Sequence, residues 1–160
     1  MSYRRYMMSR ANKLICGIDL SGQPDNELWY VTTDDEKTDS SNLNLIGTWG
    51  KQAGLQIVSH TYENGLGKVQ YNMPLERLGE NVFQHPQNTR LVSLPRTLTG
   101  FSAYSFCYGY KTRIDLVLLS HKNMDIFHSS YRPTLRTLYV QSGCAQYYEG
   151  LGYNIIEKNI

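Results

Sequence analysis

The residues able to do chemistry are few and scattered. Gly100-Phe101-Ser102-Ala103-Tyr104 approaches a nucleophile elbow but lacks the second glycine that lets a serine sit on a sharp strand-to-helix turn. Four histidines, at positions 60, 85, 121 and 128, show neither HxxxH nor HExxH spacing, so no metal-ligating pair is expected on one helix face. His121 and His128 could meet across a single turn of chain, but isolated surface histidines are the plainer reading. The acidic segment Asp34, Asp35, Glu36 and Asp39 could attract calcium, yet it lacks the glycine and terminal glutamate of an EF-hand loop. Gly65-Leu66-Gly67 and Gly150-Leu151-Gly152 read as turns, since neither opens a helix that could cradle phosphate. No catalytic residue, cofactor site or metal site is expected, and an enzyme is the least favoured class.

Composition narrows the remaining classes. The chain has 160 residues with 41% hydrophobic and 19% charged side chains, enough for a self-sufficient core. A net charge of +2 gives no dense basic patch, so no specific nucleic-acid partner is expected. Arg4, Arg5, Arg10 and Lys13 make residues 1–13 a basic arm that could dock into another subunit. Leu14 to Ile18 is too short for the apolar core of a signal peptide and is cut off by Asp19. No stretch reaches a membrane span. Cys16, Cys107 and Cys144 form no CxxC pair, so reduced thiols and cytoplasmic synthesis are the default. Thirteen tyrosines against four phenylalanines suit half-exposed sheets and contact surfaces, because the ring can be buried while the hydroxyl stays wet.

The elements that would position these groups begin with strands. Leu28 to Thr32 is a β-branched and aromatic run, and Gln56 to Tyr62 a second strand meeting the hairpin signal Asn64-Gly65. Val69 and Tyr71 alternate on the returning strand. Beyond them the sequence repeats itself. Val69-Gln70-Tyr71 and Val92-Ser93-Leu94 lie 23 residues apart, and Leu138-Tyr139-Val140 lies 46 further on. Leu116-Val117-Leu118 falls between them, one residue off the period. Leu78, Phe101 and Met124 keep the same spacing of 23, within the range of leucine-rich repeats.

The run from Leu94-Pro95 through Gly100-Phe101 to Ser105-Phe106, and the preceding copy from Leu75 to Phe83, resemble the BspA-like bacterial leucine-rich-repeat family. Asn26 to Tyr30, Ile57 to Gly65 and Leu138 to Tyr148 resemble the flanking regions of Bacteroides-type members, so the resemblance covers about residues 25–157. It departs from the family where a cysteine column would stand, at Pro86 and Gly109, and in a degenerate third coil over 111–132. The resemblance implies a β-rich α/β fold. About three solenoid coils would follow a small β-hairpin domain and end in a C-terminal cap. The corresponding division is 1–24 as arm and linker, 25–72 as a small β-rich domain and 73–160 as repeats with the cap.

By function, the resemblance implies a non-enzymatic scaffold whose repeat surface binds a protein or glycan. Such a protein could serve as an adhesin-like accessory of a phage tail or surface assembly, leaving the cell with the particle. The alternative is an intracellular protein–protein interaction module. Local density of tyrosine and arginine, the types enriched at contact surfaces, makes Tyr104, Tyr108, Tyr110, Arg113 and Tyr131 the candidate partner-binding residues.

Overall fold

A computed structural model of the chain describes residues 14–33, 45–83, 88–102, 105–106 and 114–160. The described residues form eleven strands: β1 (Leu14–Ile15), β2 (Ile18–Asp19), β3 (Glu27–Thr32), β4 (Ile57–Glu63), β5 (Leu66–Tyr71), β6 (Arg77–Leu78), β7 (Thr89–Leu94), β8 (Gly100–Phe101), β9 (Ile114–Leu118), β10 (Leu135–Gln141) and β11 (Ile155–Lys158). Helical structure among the described residues is confined to two short 3-10 turns, Asp125–His128 and Ala145–Tyr147.

Seven strands make one mixed sheet in the order β11-β10-β9-β7-β3-β5-β4. Strands β7, β9, β10 and β11 are mutually parallel, whereas β3, β5 and β4 are joined antiparallel. Asn64 (φ 53°) and Gly65 (φ 78°) form the β4–β5 turn, both in the left-handed region that suits the twist of a two-residue hairpin.

This is a mostly-sheet fold and not a solenoid of leucine-rich repeats, which corrects the expectation from sequence. A solenoid needs an uninterrupted stack of parallel strands, one from each coil. Here the first repeated triplet, Val69 to Tyr71, lies on β5 and never reaches the others, because β3 is inserted antiparallel between β5 and β7. The later triplets do sit side by side. Val92 faces Leu116 and Leu116 faces Leu138, so that apolar spacing serves the parallel half of a mixed sheet. Since β3 pairs with both β5 and β7, residues on either side of position 72 share one sheet.

Alternation along the strands divides the side chains between two cores. Leu28, Tyr30, Val69, Tyr71, Val92, Leu94, Leu116, Leu118, Leu138 and Val140 face the larger one. It is roofed by the connections that follow the strands, and all four phenylalanines belong to it. Phe83 stacks on Phe106 (6.1 Å between centroids), Phe106 meets Phe101 edge-on (4.9 Å), and Phe101 meets Phe127 (5.5 Å). Phe127 in turn packs on Tyr148 (4.9 Å) and Tyr153 (5.5 Å), closing the file under the parallel strands. The opposite face buries Trp29, Val31, Leu91, Val117 and Leu119 against Ile15 of the short β1–β2 hairpin and Leu20 just after it. That hairpin turns at Cys16 (φ 51°) and Gly17 (φ 78°).

Candidate functional site

The residues singled out from sequence do not assemble into a described site. Tyr104, Tyr108, Tyr110 and Arg113 lie outside the described residues, as do the acidic segment 34–44, the basic arm, His85 and Cys107. Tyr131 is 47% exposed, and its backbone N–H donates to Ser129 Oγ (3.2 Å). His60 Nε2 and the buried Tyr30 hydroxyl are hydrogen-bonded at 2.7 Å. His128 Nε2 lies 2.9 Å from Asn123 Oδ1 and its ring stacks over Tyr148. Among the described residues no group of three or more His, Cys, Asp or Glu could hold a metal ion, and no helix is long and apolar enough to cross a membrane. Cys16 and Cys144 are free thiols; burial, followed by the nearby Glu157, pushes the Cys144 thiol up.

What the fold does bring together is a groove on the loop side of the sheet. Short parallel strands β6 and β8 pair through Arg77↔Gly100 and Leu78↔Phe101 and form its floor. Leu78 points into the core while Arg77 points out, as the alternation of a strand requires. The groove has a volume of about 440 Å³, within the range of roughly 300–1,000 Å³ found for small-ligand sites. Arg77, Glu80, Thr99, Ser102, Asp125 and Ser129 supply its polar lining. Phe101 lies beneath and holds the two walls in register, touching Phe106 on one side and Phe127 of the 125–128 turn on the other.

Next to the groove residues of β6, the segment 46–52 is laid across that strand by backbone bonds. Gly79 N–H donates to Ile46 C=O (2.9 Å), Glu80 N–H to Trp49 C=O (2.8 Å) and Thr48 N–H to Glu80 C=O (2.9 Å). Gln52 Oε1 accepts from the N–H groups of Glu76 (2.8 Å) and Arg77 (3.1 Å). The approach demands glycine at position 47, where φ is +98° and a Cβ would fall 2.3 Å from Gly79 Cα. The segment carries Trp49, 74% exposed and the most exposed large apolar side chain among the described residues.

The charges of the groove are held but not neutralised. Arg77 Nε donates to Gly50 C=O (2.9 Å) and Nη2 to Ser102 Oγ (3.2 Å), which fixes the guanidinium. Its Nη1 has no hydrogen-bond partner among the described residues, and neither the Glu80 nor the Asp125 carboxylate pairs with a cation there. The ion pair formed among the described residues lies elsewhere: Arg136 grips the buried Asp115 through two bonds, 2.8 and 2.6 Å. Those bonds hold the Arg136 guanidinium above its ordinary value. Ser102, the serine of the elbow-like motif, faces a donor. An arginine cannot take its proton, so this pair does not create a nucleophile.

A second groove, of about 420 Å³, lies between the β1–β2 hairpin and the β4–β5 turn. Its lysine, Lys68, sits 4.4 Å over the Trp29 ring and is already engaged.

No protein-family model, curated protein or solved structure matches this chain. Sequence reasoning passed over Trp49, Asp125 and the pairing of Arg77 with Ser102. The available signal was a tryptophan set among Thr48, Gly50, Lys51 and Gln52, with no apolar alternation to bury it.

Proposed function

We propose that this chain is a non-enzymatic recognition protein that binds a glycan in the groove between Arg77, Ser102 and Asp125, beside Trp49. The observation that carries the reading is the combination of one exposed indole with a neighbouring groove whose two carboxylates have no ion-pair partner among the described residues. A sugar ring has an apolar C–H face that covers aromatic surface, while its edge of hydroxyls needs both donors and acceptors. Arg77 offers a fixed donor, Glu80 and Asp125 are acceptors, and the Ser102 hydroxyl, which accepts from Arg77, can donate; the Thr99 and Ser129 hydroxyls already donate to the Glu76 and Ile126 carbonyls. The rigid aromatic floor supports preorganisation, which reduces the ordering cost of binding.

The test is a glycan array probed with the full chain and with Trp49→Ala. Array binding reduced about tenfold or more by the substitution is the expected result, given the weight that buried tryptophans carry in recognition. A blank array, or binding indifferent to Trp49→Ala, would remove the reading. Cleavage of a bound glycan would overturn its non-enzymatic part.

A second reading, a protein partner, is favoured by a different observation. β4 is an edge strand of the large sheet, and Ile57 (39%) and Val58 (58%) are exposed on it. An extended segment could add to such an edge by main-chain bonding. The register shift between Ile57 and Ser59 works against this, because a bulge twists an edge away from pairing.

A further inference from the structure

We infer that the groove selects uncharged sugars and refuses acidic ones, with Glu80 and Asp125 as the refusing groups; this rests on the glycan reading above. The charges lining the groove are one guanidinium and two carboxylates. Arg77 spends two of its five N–H groups on Gly50 C=O and Ser102 Oγ, so three remain on its terminal nitrogens. A uronate would gain bonds from that one guanidinium while standing beside two like charges, neither of which is ion-paired among the described residues, so the groove's carboxylates outnumber its cation. A neutral hexose meets no such opposition. Its hydroxyls donate to the two carboxylates, giving charge-assisted bonds, and a hydroxyl oxygen accepts from Arg77. Repulsion of the wrong ligand is as effective a source of specificity as attraction of the right one.

Placement in the fold makes the repulsion difficult to evade. Glu80 is tied through its backbone to Thr48 and Trp49. Asp125 opens the 3-10 turn that Phe127 anchors to the aromatic file, on the opposite wall. A ligand in the groove therefore meets carboxylates from two separate elements.

The experiment titrates the full chain by NMR with the methyl glycosides of glucose, galactose and mannose, and with those of glucuronate and galacturonate. The wild type should bind at least one neutral glycoside about tenfold more tightly than its uronate, a gap that narrows as salt is raised. In Glu80→Gln/Asp125→Asn the gap should close, through tighter uronate binding. Uronate bound as tightly as the neutral sugar, and lost in Trp49→Ala, would overturn the selection while leaving the glycan site standing. A gap unaffected by both salt and the double substitution would also overturn it. Binding of neither class would remove the glycan reading, and this inference with it.

Discussion

The two faces of the seven-stranded sheet are buried by different means. One is covered by long connections whose aromatic rings form a continuous file from Phe83 to Tyr153. The other is closed by a two-stranded hairpin and the residues after it, with Ile15 and Leu20 packed on Trp29, Val31 and Leu91. A connection that must roof a sheet arrives with loops, turns and strand ends, so its outer surface has relief and can hold a groove. The hairpin-covered face is a thin lid whose main internal polar contacts, such as Ser93 Oγ to Gln23 Oε1 (2.6 Å), pin it in place. The candidate site lies on the first face for that reason.

The sharpest way to break the contrast is Phe127→Ala. Phe127 touches Phe101, Tyr148 and Tyr153 and is fully buried, so its loss should cost about 3–5 kcal/mol in denaturant unfolding. Because Phe101 underlies the groove, ligand binding should weaken in the same variant. Leu20→Ala on the other face removes a fully buried side chain beneath a small lid that can settle inward. A loss near the low end, about 2 kcal/mol, is expected, with binding in the groove unchanged. Equal stability losses from the two substitutions, or loss of binding from Leu20→Ala, would contradict the division.

The smallest effect is confined to alkali. Burial pushes the Tyr148 and Tyr153 phenols up from 10.0 to about 12, and that of Tyr71 further in the same direction. A phenol that the folded state keeps protonated lends stability that is full below its unfolded pKa of 10.0. That stability is lost as pH rises towards about 12. Ultraviolet titration should therefore show these tyrosines ionising last, together with unfolding, while stability between pH 6 and roughly 9 does not depend on them. Early ionisation of Tyr148, detected by Tyr148→Phe difference spectra, would show a looser loop-covered core.

Local features were legible in the sequence. Strands β3, β4 and β5 follow from β-branched and aromatic alternation, and the β4–β5 turn from the left-handed tolerance of Asn64 and Gly65. Strand order was not legible, since β-pairing is decided by contacts far apart in sequence. A triplet such as Val69 to Tyr71 has the same pattern whether its neighbour is parallel or antiparallel. The regular spacing of Val92, Leu116 and Leu138 therefore suggested a solenoid, while β3 set the actual topology by inserting beside β7. The hairpin at Leu14–Asp19 was too short for a periodic signal. Composition drew attention to the tyrosines around position 108, but the groove draws on segments near 50, 78, 100 and 126 that share no motif.

The most direct test of the central claim maps binding onto the labelled full chain. Backbone amide, indole and guanidinium NMR signals would be followed during titration with the best glycan from the array. The account predicts shifts at the Trp49 indole, Arg77 Nε and the Ser102 and Asp125 amides, with Ile57–Glu63 undisturbed. Shifts concentrated on β4, or spread without a maximum at the groove, would contradict it.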